Sequence, residues 1–334
     1  MRHRSLTAFV SAVAVAAMLS VFPTVGRSQS AAPLSKEEIT ALAKVQIAIA
    51  HASDSVGAQL AQSKNKTNQM QTQLREAFRV QVEEILHHAG MTDTEYQRKT
   101  YLVSTDSTTR KAFDGLVAQI SGVPTPGQVA AGPAPTAVPA GPVGVHIGHV
   151  INAFTDTPSG QGLLPVAMAE ARTAAQHATL GARTPTNLDM MKLHAGHVIN
   201  ALDPTIVATG PGLGYGLKKA AEGVINHIDL AAKAAGASPN VITHANHIAT
   251  STKNTVGRSD QLLALAKQVE TATDATVAAG LFNQMVSLSQ QLIAGADANG
   301  DGRIGWQEGE GGLQQAEEHV KLMLAGELPA KPGK

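Results

Sequence analysis

One recurring nonapeptide constrains this chain more than any other feature. His146-Ile-Gly-His-Val-Ile-Asn-Ala-Phe154 returns 48 residues later as His194-Ala-Gly-His-Val-Ile-Asn-Ala-Leu202. A further 50 residues on it appears again, decayed, as His244-Ala-Asn-His-Ile-Ala-Thr-Ser-Thr252. Other features keep the register: Gly160-Gln-Gly-Leu163 is matched by Gly210-Pro-Gly-Leu213, and His177 by His227. A unit repeated at such a period buries its apolar face against neighbouring copies, so the region has to stack one building block on itself. Each full unit reads as a helix opened by H-x-x-H, a Gly/Pro loop, and a second Ala-rich helix carrying one histidine. Two full units and one partial unit run from about Val143 to about Thr276.

Histidines three apart share a helix face, so one H-x-x-H offers two imidazoles to one ion. In the first unit Ile147, Val150, Ile151 and Phe154 form the apolar stripe, which leaves His146 and His149 well off its centre. Two readings follow. In one, the histidines are a solvated face copied by duplication. In the other, small polar surfaces of the two units meet and gather His146, His149, His194 and His197 around a shared ion, with His177 and His227 arriving from the second helices. The third unit keeps His244 and His247 but has Val277 where its second-helix histidine belongs, so its site is expected to be incomplete. All-imidazole ligation suits Zn2+, Cu2+ or Ni2+.

The chain has no cysteine, which excludes thiolate metal sites, disulfides and covalent c-type haem. Within the repeats neither Glu-x-x-His, the di-iron pattern, nor H-E-x-x-H, the hydrolytic zinc helix, is present. No nucleophile-base pair or Gly-rich nucleotide loop is visible either, so an enzyme is not expected. A b-type haem between histidines of facing helices is a further alternative, although aromatics make up only 3% of the chain and line a porphyrin slot poorly. Another is a structural or interaction protein in which the histidines carry no transition metal.

Asp297-Ala-Asn299-Gly-Asp301-Gly302-Arg303-Ile304-Gly305-Trp306-Gln307-Glu308 has the register of a twelve-residue calcium loop. Asp297, Asn299 and Asp301 place side-chain oxygens at positions 1, 3 and 5, Gly302 permits the bend at 6, Arg303 offers its carbonyl at 7, and Glu308 stands at 12. The segment resembles the loop of the EF-hand family, which implies bound Ca2+. It departs from the family in lacking a second loop to pair with and in the glycines at 309, 311 and 312, which delay the outgoing helix until about Leu313. A fixed structural calcium, or a homodimer through the unpaired loop, is the expectation, with an affinity on the order of 10⁻⁴ M.

Before the repeats, Arg2, His3 and Arg4 precede an apolar run from Leu6 to Phe22 and small residues near Ser30, the pattern of a signal peptide over 1–30. Periplasmic or secreted localisation follows, with no membrane span after cleavage. Removing Arg2, Arg4 and Arg27 from 26 basic residues leaves 23 against 26 acidic, so no basic patch for nucleic acid is expected. Ser35 with Glu38, and Thr92 with Glu95, are capping boxes that open helices in a four-helix unit over 31–122. The run Ile85-Leu-His-His-Ala-Gly-Met-Thr-Asp-Thr-Glu-Tyr96, followed by an amphipathic helix to Ile120, resembles a small family of uncharacterised exported bacterial helical domains. The resemblance covers roughly a quarter of the chain and implies export and an all-helical fold, with no catalytic residues. His87 and His88 suit the negative end of the helix that stops at Gly90. A Pro/Ala/Gly-rich linker (123–142), the His-rich repeats (143–276), the calcium segment (277–326) and a tail (327–334) complete an all-α chain.

Overall fold

The computed structural model describes residues 33–61, 65, 68–122 and 135–328. The segment read above as a signal peptide, most of the linker and most of the tail lie outside the described residues. Within them the fold is all-α, with eleven α-helices and no strand.

Four helices come first: α1 (Lys36–Ala61), α2 (Asn68–His88), α3 (Asp93–Thr105) and α4 (Ser107–Ser121). Their ends are set by local chemistry. Ser35 Oγ accepts the Glu38 N–H at 3.2 Å while Glu38 Oε2 accepts the Ser35 N–H at 3.0 Å. Thr92 and Glu95 repeat this at the start of α3. Each such cap is worth about 0.5–2 kcal/mol. Leu42, Ile49, Val82, Leu86, Tyr96 and Phe113 form the core of these helices, and the Tyr96 hydroxyl donates to Gln46 Oε1 at 2.7 Å. Leu180, from the repeat region, enters the same core, and the Arg183 guanidinium covers the Tyr96 ring at 4.3 Å.

The repeat region holds α5 (Gly141–Ile151), α6 (Leu163–Ala182), α7 (Leu188–Leu202), α8 (Leu217–Lys233), α9 (Pro239–Thr271), α10 (Ala275–Ala294) and α11 (Leu313–Glu327). Pro142 stands in the first turn of α5, and the linker's last residues are built onto the repeats: the Asn152 side chain exchanges two hydrogen bonds with the Thr136 backbone, and Val138 packs on the core. Fully buried alanines at 167, 171, 174, 178, 195, 201 and 220 let these helices approach closely. Gly181 goes further, since a Cβ there would sit 2.1 Å from the Phe282 ring. Glu327 and Leu328, assigned above to the tail, end and cap α11, and Glu327 is bonded to Ser238 and Asn240.

Helix α9 has 33 residues and is about 50 Å long; it packs against α7, α8, α10 and α11. The histidine-bearing helices pair across units. The first helix of unit one, α5, packs on the second helix of unit two, α8, while α6 packs on α7. Two backbone ties position these pairs. Asn200, 1% exposed, holds the following loop through Val207 O and the Gly212 N–H. Glu170, wholly buried, accepts the N–H groups of Leu213, Tyr215 and Gly216 just before α8. Burial nevertheless raises its pKa, the three amide bonds opposing the rise.

Candidate metal centres

Three histidine triads form, each from one H-x-x-H helix and one lone histidine of the helix packed against it. They are His146, His149 and His227; His194, His197 and His177; His244, His247 and His319. In each, the three candidate ligand nitrogens lie within 4.8 Å of one another.

The triads share one geometry. The first histidine of the motif and the lone histidine have ring centroids 5.4, 5.3 and 5.2 Å apart, with planes inclined by 36°, 34° and 37°. The second histidine meets the lone one edge to face at 4.7, 4.6 and 4.6 Å. Nδ1 atoms point at each other. His227 Nδ1 lies 3.2 Å from that of His146 and 3.3 Å from that of His149. His177 Nδ1 lies 3.0 Å from that of His194 and 3.2 Å from that of His197. His319 Nδ1 is 3.0 Å from that of His244, and His247 Nδ1 is buried with no hydrogen-bond partner.

Hydrogen bonding alone does not satisfy this arrangement. An imidazole Nδ1 carries either one in-plane proton or one in-plane lone pair, so the lone histidine can bond only one of its two neighbours. A cation at the centre takes all three lone pairs. With metal–nitrogen bonds of about 2.0–2.1 Å, tetrahedral ligation places nitrogens about 3.3–3.4 Å apart, close to the spacing found. The donor set therefore fits a divalent ion. A bis-histidine haem needs a porphyrin between its ligands, whereas these rings touch directly.

The environments differ. His177, His194 and His197 are 7%, 0% and 7% exposed. Burial, followed by the neighbouring imidazoles, pushes the His194 pKa down to about 3 and that of His177 well below its ordinary value, and burial with the charge of Arg110 takes His197 down to about 4. His319 is pushed down to about 4, again by burial first and then by His247 and His244. These imidazoles are neutral at pH 7, the form that coordinates. His146, His149, His244 and His247 are half-buried. Phe154 lies edge-on to His149 and His227 in the first triad.

Contrary to the shared site expected from the repeat, His146 and His149 do not meet His194 and His197; each pair takes the lone histidine of the other unit. The third centre is complete. Val277 is 59% exposed, and the missing imidazole comes from His319 on α11, which the repeat register did not reach. The usable signal is spacing: His244 precedes His319 by 75 residues and His146 precedes His227 by 81.

The loop between α10 and α11 holds the residues read above as a calcium-loop pattern. Asp297 is 5% exposed and accepts the N–H groups of Gly300 and Gly302 at 2.7 and 3.1 Å. Asn299 accepts from the Asp301 N–H, and Asp301 from that of Arg303. Glu308 is exposed and is not gathered with Asp297 and Asp301; Glu310, two residues on, is buried instead and accepts the Gly305 N–H at 2.8 Å. From α9, Asn254 bonds Gln307 O and the Gly309 N–H, and Arg258 bonds the carbonyls of Gly309, Glu310 and Gly311.

The chain matches no known protein family, no curated protein and no solved structure. Among the described residues no helix is long and apolar enough to cross a membrane.

Proposed function

We propose that this protein binds divalent transition-metal ions, Zn2+, Cu2+ or Ni2+, at three separate three-histidine centres, for sequestration, buffering or sensing outside the cytoplasm. One observation carries the reading. The same convergence of three imidazoles is built three times, from three different helix pairs, with ring separations that agree within about 0.2 Å. Chance polar contacts between helices would not reproduce it. The segment 297–308 is proposed to hold Ca2+ as a structural clip, with Asp297, Asn299, Asp301 and the Arg303 carbonyl as its ligands and Glu308, which does not lie with Asp297 and Asp301 in this structure, joining them when the ion binds; the match of every diagnostic position to the calcium-loop pattern supports this.

The test is isothermal titration of untagged, chelator-treated protein with Zn2+ or Cu2+ at neutral pH with calcium saturating, together with elemental analysis of protein as purified. Three equivalents are expected. No tight equivalent, with an unchanged melting temperature, would instead favour a structural protein whose histidines only contact one another.

A further inference from the structure

We propose that the centre of His177, His194 and His197 takes a small monoanion as its fourth ligand, held beside Arg110. This rests on the reading of that triad as a metal centre. Three neutral imidazoles leave the charge of a divalent ion uncompensated, which costs most where water is excluded. The second triad is the most buried of the three, whereas the motif histidines of the first and third are only half-buried.

What surrounds the second triad differs in kind. His177 borders a cavity of about 30 Å³ roofed by α1, α3 and α4, with Gln46, Ser104, Arg110, Asp114 and Gln176 in its walls. That space holds one or two water-sized groups. Arg110 is fixed there: its Nε donates to Val103 O at 3.4 Å and an Nη to Ser104 O. Its positive charge reaches the triad, adding to the downward push on His177 and His197. Asp114 is the only acid among the described residues of the cavity wall. A bound divalent ion and Arg110 thus sum to three positive charges against one negative, and among the described residues no fourth His, Asp or Glu joins the triad. A small anion supplies both the missing charge and the missing bond. The class is a hydroxide, halide or pseudohalide; polyatomic oxyanions with organic substituents are too large for the space.

The probe is azide, on full-length protein carrying His146→Ala, His149→Ala, His244→Ala and His247→Ala, so that only the second triad binds, saturated with Co2+. Saturable movement of the cobalt visible bands on azide titration is expected. Arg110→Met should weaken azide by about tenfold, the loss of one charge-assisted hydrogen bond, and Arg110→Lys should restore most of it. Asp114→Asn removes the opposing negative charge and should tighten azide, a change of opposite sign that a merely loosened fold would not produce. Cobalt bands that ignore azide, or azide affinity indifferent to both positions, would overturn the anion site and leave the metal reading standing. A protein that binds no Co2+ at all would overturn both.

Discussion

The indole of Trp306 lies flat on the imidazole of His247, with ring centroids 3.7 Å apart and planes 16° from parallel. Trp306 is the tenth residue of the calcium-loop segment and His247 belongs to the third triad, so the two candidate ion sites share a wall. His319, the third imidazole, sits six residues into the helix that leaves the loop. Ser251, Asn254 and Arg258 continue the same face of α9 and hold the loop by its backbone. The loop and the third triad are one assembly.

That contact makes Trp306, the chain's one tryptophan, a reporter on a single centre. Cu2+ entering the third triad should quench its emission strongly. His244→Ala with His319→Ala should abolish the quenching while two equivalents still bind. Full quenching retained in that double variant would place the copper elsewhere.

Calcium should stabilise the protein. A ligand bound only by the folded state adds about 2.7 kcal/mol at one hundred times its Kd. Asp297→Ala should remove that increment and, through the shared wall, alter the Trp306 spectrum. Identical melting curves in calcium and in chelator would refute the clip.

The three centres should titrate independently. His146→Ala with His149→Ala should delete one equivalent and leave affinity at His194 and His197 unchanged, because no imidazole is shared between the triads. Calorimetry of the double variant decides the matter; a large loss at the surviving pair would indicate one shared ion.

Metal-free protein should lose stability as pH falls from about 6.5 toward 4. His177, His194 and His197 have folded pKa values well below the unfolded one, those of His194 and His197 being about 3 and 4. In that window only the unfolded chain binds the proton, so stability is complete above about 6.5 and drains by about 1.4 kcal/mol per pH unit for each such histidine. Asp114, pushed up to about 6 by burial, and Glu170, also raised, act in the opposite sense but are fewer. Urea unfolding at pH 7.5, 6 and 5 in chelator measures the slope, which His194→Leu should flatten. A flat profile would show that the triad is not buried as described.

Gly181→Ala should cost about 1–3 kcal/mol, since the new methyl meets the Phe282 ring at 2.1 Å and overpacks the α6–α10 contact. Phe282→Leu should recover part of that loss in a double-mutant cycle. Full stability of the single variant would mean that the two helices are less closely packed than found.

Local features were legible in the residues. The boxes of Ser35 with Glu38 and Thr92 with Glu95 recur in the fold because both partners lie within one helical turn and need nothing else. The stop at Gly90, with φ of +62°, and the delay of α11 to Leu313 are of the same kind. The repeat likewise pointed to an all-α stack and picked out eight of the nine triad histidines, because H-x-x-H spacing places two imidazoles on one helix face whatever surrounds it.

Which imidazoles meet was decided by packing alone. His146 and His149 take His227 from α8, His194 and His197 take His177 from α6, and His244 and His247 take His319 from α11. Their partners lie between 17 and 81 residues away, a range over which helix periodicity carries no information. The same holds for burial of the second triad, which depends on how α1, α3 and α4 roof α6. The helices and the faces that carry histidine follow from backbone geometry within a few residues, so residue order alone sets them. The tertiary structure decided the three centres and their differing surroundings, because those depend on which apolar faces bury one another.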